Sequence, residues 1–287
     1  MSNEKKPQSR GCLVIMVLIL SLVLVLLLMV CYEKAVLSTQ PPATTSPTTE
    51  ATADEPQPAA TEAVVTEPQP EETQPPRPLV VIDAGHQAKG NREQEPIGPG
   101  ATQMKAKVSS GTQGVVTRLE EYELNLQVAQ KLQRLLEDRG YRVEMIRTHH
   151  DVNISNAERA VLANELEADA FVRIHANGDE DPSVHGIMTL CQTPQNPYNS
   201  EHYPQSRALS QYVLEETGAA TGGKKQFVWE TDTMSGINWC QVPVTIVEMG
   251  YMTNPEEDRL LATGDYQQKL AEGIANGIDR YFAGSIV

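Results

Sequence analysis

The chain has 287 residues, with 38 Asp and Glu against 23 Lys and Arg, giving a net charge of −15. That balance excludes nucleic acid as a partner, which would require a basic face. The composition is uneven along the chain, so length does not translate directly into a number of domains.

Residues 1–11 are polar and basic (Lys5, Lys6, Arg10) and are expected to form a cytoplasmic tail. Residues 12–31 form an apolar run between Cys12 and Cys31, with Ser21 as its one clearly polar residue. About 20 apolar residues at roughly 1.5 Å rise span the hydrocarbon core of a bilayer. The cations before the run keep that end in the cytoplasm and send the rest of the chain across. A cleaved signal peptide is the alternative, but the run is long for one and Ala35-Val36-Leu37 is a poor cleavage site, so a single-pass signal anchor is expected. Residues 32–78 are expected to form the linker: from Ser38 to Pro78 the chain alternates Pro with Thr, Gln and Glu and has almost no large apolar residues. Such a segment cannot bury enough surface to fold, and reads as a disordered linker reaching on the order of 100 Å at most. The globular part is residues 79–287.

This domain opens on Val80-Val81-Ile82-Asp83-Ala84-Gly85-His86, a buried strand delivering an imidazole to its carboxyl end. Residues 87–118 follow with several Gly and Pro and no sustained period, a long loop of the kind that is functional or mobile. A helix then runs from about Glu120 to Arg139 and stops at Gly140, with Leu124, Val128, Leu132 and Leu135 on one face. Glu121 lies one turn ahead of that face. It either complements the helix dipole or serves as a ligand.

Tyr141–Arg147 reads as a second strand, and Ser155 with Glu158 is a capping-box signature for a helix to about Glu167. Ala170–His175 is a third strand that again ends in histidine. Gly186–Cys191 reads as a strand and Pro204–Gly218 as a helix with Leu209, Val213 and Leu214 inward, while residues 222–240 resist assignment. Trp229 and Trp239 in that region are expected to fill core. Val242–Glu248 is the last strand and ends on a carboxylate. Asn254 and Pro255 start a further helix, and a final helix covers about Asp265–Phe282. Cys191 and Cys240 lie in the globular part, and no pairing between them is assumed.

Strands alternating with helices predict an α/β fold, a mostly parallel twisted sheet with helices on both faces. Ligands of such sheets bind beyond the carboxyl ends of the strands. His86, His175 and Glu248 all fall there, and Glu121 opens the helix after the first strand. Two imidazoles and a carboxylate make a common catalytic zinc set, with water of lowered pKa at an open position and a further carboxylate to move the proton. The remaining histidines, His149, His150, His185 and His202, fall in predicted turns or loops.

The blocks Val81–His86, Glu121-x-Glu-x-Asn-Leu126, Arg173-Ile-His-Ala-Asn177 and Val247–Glu256 resemble the zinc-dependent N-acetylmuramoyl-L-alanine amidases of the type-3 family, in that family's order. The resemblance covers about Leu79 to Phe282. It implies a phosphorylase/hydrolase-like sheet, Zn2+ held by His86, Glu121 and His175, and Glu248 as catalytic carboxylate. It also implies hydrolysis of the amide between N-acetylmuramic acid and the L-alanine of the peptidoglycan stem. Gln87 stands where the family most often has glycine, and Arg173 where a serine is common. Peptidoglycan and, through the anchor, the cytoplasmic membrane are the expected partners, with room for an unidentified activator protein; the domain is expected on the wall-facing side. Two rival readings are another zinc peptidoglycan hydrolase, a peptidase or deacetylase, and a non-catalytic wall-binding domain.

Overall fold

The computed structural model describes residues 77–284. The expected tail, the anchor over 12–31 and the linker as far as residue 76 lie outside the described residues. Among those described, no helix is long and apolar enough to cross a membrane.

The sequence over Leu79–Ala84 (β1) forms a strand whose six residues are all buried, as a parallel strand covered on both faces requires. It pairs in parallel with Arg142–Met145 (β4) on one side and Ala170–Asn177 (β5) on the other. Beyond β5 lies Val244–Tyr251 (β8), also parallel. Ile187–Cys191 (β6) runs antiparallel to β8 and carries Lys225–Glu230 (β7) at the edge. The order β4-β1-β5-β8-β6-β7 is therefore a mostly parallel sheet with two strands reversed at one side.

Alternation along the strands divides the core. Val80, Ile82, Val172, Ile174 and Val247 point to the face covered by helices Glu121–Asp138 (α1), Tyr203–Thr221 (α3) and Gly264–Gly284 (α6). Leu79, Val81, Phe171, Val244 and Ile246 point to the other face, against Asn156–Glu165 (α2) and the short Ser235–Asn238 (α4). Helices on both faces are thus present. Helix α1 buries Leu124, Val128, Leu132 and Leu136, and the expected Leu135 packs, partly buried, against the same core. Gly140, at φ 88°, follows its end in the left-handed conformation that terminates helices. The expected capping box of α2 is complete: Glu158 N donates to Ser155 Oγ and Ser155 N to Glu158 Oε2, at 3.1 and 2.7 Å. Pro255–Leu261 (α5) is capped by Asn254, whose Oδ1 accepts from Glu256 N and Glu257 N.

Three expectations are corrected. The stretch 87–118 is not simply a loop: Asn91–Pro96 (β2) and Met104–Val108 (β3) pair as an antiparallel hairpin. Strand β2 is polar and carries no apolar alternation, and the alternation of Met104, Ala106 and Val108 in β3 spans only five residues; buried Val108 and Glu95 and a set of hydrogen bonds to the body secure the hairpin. Trp239 Nε1 donates to Pro96 O at 2.8 Å, Asn238 Nδ2 to Ile97 O at 3.1 Å and Asn156 Nδ2 to Lys107 O at 2.9 Å. Residues 222–240 hold β7 and α4. Trp239 packs against the core as expected, but Trp229 is 42% exposed on the edge strand. The strands bearing His175 and Glu248 also run on, to Asn177 and Tyr251.

Candidate metal centre

The carboxyl ends of β1, β5 and β8 lie side by side, and the register fixes what meets there. Asp83 pairs with Arg173, and His175 with Glu248. All four point to the α2 face, by the parity of their neighbours.

At the end of β1 the backbone turns through His86, whose φ of 61° is a left-handed conformation uncommon for a residue with a side chain. Such strain persists where surrounding contacts over-determine it. Here His86 Nδ1 meets Ser109 O at 3.0 Å and Ser109 Oγ at 3.1 Å, just after the hairpin. A bond from Nδ1–H to the carbonyl leaves Nε2 as the free lone pair. The preceding Gly85 admits the His175 ring: a Cβ at that position would come within 2.2 Å of it.

Glu121, in the first turn of α1, reaches into the same space. Its Oε1 lies 3.0 Å from His86 Nε2 and 3.3 Å from His175 Nδ1, while His175 Nδ1 and His86 Nε2 are 3.1 Å apart. Further donors fix this carboxylate: Ala176 N at 3.1 Å and Asn125 Nδ2 at 3.2 Å to Oε1, and Thr112 N at 2.8 Å to Oε2. Burial alone would raise the Glu121 carboxyl, but the His175 and His86 rings hold it well below the usual carboxylate range. Burial drives His175 the other way, down to about 4 against the pull of Glu121, so its imidazole is neutral at physiological pH. A neutral imidazole and an ionised carboxylate are the states in which these groups bind metal. His86, Glu121 and His175 form the group that fits a metal ion among the described residues, its ligand atoms all within 4.8 Å of one another.

Glu248 stands beside this group with its Oε2 buried and without a hydrogen-bond partner. Burial, reinforced by the charge of Glu121 and opposed by Arg173, pushes its carboxyl up to about 8. The other four histidines stay outside the cluster. Cys191 and Cys240 are separate, buried thiols, each pushed up to about 12 by burial.

Beneath the centre lies a set of charges that sequence reasoning missed. Asp83 is fully buried and accepts from Arg159 Nη1 at 2.6 Å and Arg173 Nε at 2.9 Å. Burial opposes its ionisation, yet the two guanidinium groups hold its carboxyl far below the ordinary range. Arg147 donates to the carbonyls of Ala84, Gly85 and Tyr122 at 2.7–3.0 Å, fastening the turn before His86 to the start of α1. The available signal was Asp83 itself, since a carboxylate inside an apolar strand demands buried cations.

The histidine-glutamate-histidine group at the carboxyl edge of this α/β sheet, with a second carboxylate beside it, is a donor set that could hold a metal ion. Residues 80–280 match the family model described as N-acetylmuramoyl-L-alanine amidase, and the chain belongs to that family. It is 29% identical over 203 residues to the uncharacterized protein YqiI of Bacillus subtilis, covering 71% of this chain and 84% of that one. It is 26% identical over 248 residues to the N-acetylmuramoyl-L-alanine amidase AmiA of Salmonella typhimurium, covering 71% and 76%. The crystal structure of the amidase Ami1 from Mycobacterium smegmatis superposes with a TM-score of 0.66 at 26% identity, over 73% of this chain and 98% of that one.

Proposed function

We propose that this chain is a zinc-dependent N-acetylmuramoyl-L-alanine amidase that cleaves the amide between N-acetylmuramic acid and L-alanine in peptidoglycan, working from a membrane anchor on the wall-facing side. The observation that carries the reading is the spacing of the three ligand atoms. Bonds of about 2.0–2.1 Å in a tetrahedron leave neighbouring ligands about 3.3 Å apart, and the separations here are 3.0, 3.1 and 3.3 Å.

In this reading His86 Nε2, Glu121 Oε1 and His175 Nδ1 hold the ion, which supplies a Lewis acid and acidified water when bound. Ser109 keeps His86 in the tautomer that presents Nε2. Glu248 takes the proton from the attacking water and returns it to the alanine nitrogen, which leaves as the amine. The anchor is supported by the apolar run over 12–31 with Lys5, Lys6 and Arg10 before it.

The test combines metal analysis with mass spectrometry of muropeptides. The full chain should bind one zinc and release peptides with a free L-alanine amino terminus from intact glycan; release of a different bond would favour a wall peptidase or deacetylase. Glu248→Gln should retain zinc while losing about 100- to 10,000-fold in kcat, and His175→Ala should lose both.

A further inference from the structure

Two depressions meet at the metal-ligand group, and their charges differ. The open trough is edged by Asp179 and Glu180, and neither Lys nor Arg lines it. The second is a narrower cavity of about 260 Å3 that shares His86, His175 and Glu248 with the trough but is lined by Arg173 and Lys105, and by no carboxylate except Glu248.

Arg173 is only 2% exposed. Its Nε is engaged by Asp83 at 2.9 Å and its Nη2 by Asn156 Oδ1 at 2.8 Å, while Asp83 is shared with Arg159. Two guanidinium groups therefore divide one carboxylate, leaving positive charge over. Nη1 of Arg173 lies against Gly236, where a Cβ would come within 1.8 Å of it. The neighbouring Ser235 is buried, lines the same cavity, and has a hydroxyl without a hydrogen-bond partner. Lys105 reaches the mouth from the hairpin, donating to Thr233 O at 2.9 Å. Leu190 and Ile246 supply an apolar wall. A buried guanidinium, an unmatched hydroxyl and an ammonium around one enclosed space are a receptor for a carboxylate on a short aliphatic chain.

We propose that this cavity takes the peptide arm of the substrate, with Arg173, Ser235 and Lys105 binding the α-carboxylate of the γ-linked D-glutamate that follows L-alanine, while the glycan arm lies in the trough edged by Asp179 and Glu180. The inference rests on the amidase reading above. The muramic carboxyl is consumed in the scissile amide, so the sugar arm offers hydroxyl and acetamide groups and the peptide arm offers carboxylates. A carboxylate beside Asp179 and Glu180 would be repelled; beside Arg173 it completes the charge balance. Glu248 borders both depressions, which puts the proton carrier at the junction where the alanine nitrogen departs.

The experiment compares, with the zinc-loaded full chain, two muropeptides that differ in one group: the D-glutamate α-carboxylate and its carboxamide. The carboxylate substrate should be preferred by about tenfold or more in kcat/KM, the scale of a hydrogen bond to a charged group. Lys105→Met and Ser235→Ala should each shrink that ratio severalfold, by loss on the carboxylate substrate, with zinc content and Tm unchanged. Equal turnover of the two by the natural chain, a carboxamide preference, or a ratio that neither variant moves overturns the proposal. Failure of the amidase reading shows differently, as no alanine-terminated product from either substrate. Calorimetric binding of the dipeptide L-alanyl-γ-D-glutamate then decides the subsite without turnover: tighter binding than L-alanyl-D-isoglutamine upholds it, and equal or undetectable binding of the two rejects it.

Discussion

Asp83, fully buried, and Glu248, partly buried with its Oε2 shielded from solvent, are carboxyls on the same face of the sheet, and they are pushed in opposite directions. Asp83 has two guanidinium partners and stays ionised, whereas Glu248 has burial and the nearby charge of Glu121 against it and rises to about 8. An acid whose folded pKa exceeds its unfolded value gives stability that is whole below about pH 4.5 and is lost as pH rises through the folded value. His175, lowered to about 4, works in the other sense but has finished titrating by its unfolded value of about 6.5. Between pH 6.5 and 8 Glu248 therefore dominates, and chelator-treated protein should lose stability on the order of 2 kcal/mol across that window. Urea melts at stepped pH should show the decline in the natural chain and a flat profile in Glu248→Gln. Asp83→Asn leaves Arg159 and Arg173 buried against a neutral partner and should cost about 3–5 kcal/mol at pH 7, visible in the same melts. The strand-end placement of His86, His175 and Glu248 was legible in the sequence, whereas the spacing left Glu121 open between helix-dipole cap and ligand, and only the family resemblance assigned it. Arg159 was not legible, since it lies 76 residues from Asp83 and looks like any cation on a helix.

At the scale of elements, the longer periodic ones were readable, while the short elements within 87–118 and 222–240 were not, because runs of four to six residues carry too little pattern. The hairpin of β2 and β3 is held by side chains of the body donating to its backbone, by Glu95 accepting from Ala157 N and by buried Val108, and its exit through Ser109 aims His86. Loosening it should reach the metal site. Trp239→Phe removes the donor to Pro96 O while keeping most of the packed area. Hydrogen exchange over 91–109 should rise and zinc should bind more weakly; exchange confined to residue 239's own neighbours would show that the remaining bonds suffice. The contact between α3 and α6 depends instead on what is missing. At Gly277 a Cβ would stand 2.5 Å from Val213 Cα, and at Gly273 the same distance from Thr217 Cα. Helical propensity favours alanine at both positions, so sequence reasoning by propensity alone misjudges them. Gly277→Ala should force the helices apart and destabilise by about 1–3 kcal/mol, measured by thermal melting, despite its gain in intrinsic helicity.

Across the whole molecule, the chain enters the described domain at the amino end of β1, while the metal-ligand group sits at the carboxyl ends of β1, β5 and β8. The proposed anchor and linker then supply location, and the folded domain supplies chemistry, because none of the ligand or carrier residues lies before Asp83. Division of this kind makes the two separable. A chain beginning at residue 77 should fold with the same Tm, bind zinc equally and cleave soluble muropeptides at the full-length rate, yet move from the membrane fraction to the soluble fraction of cells. Salt should not extract the full chain, since an apolar run of about 20 residues is retained by hydrophobic transfer rather than by charge, whereas detergent should. Full-length protein released by high salt, or a truncated chain that still sediments with membranes, would remove the anchor from the account and leave the amidase site as it stands.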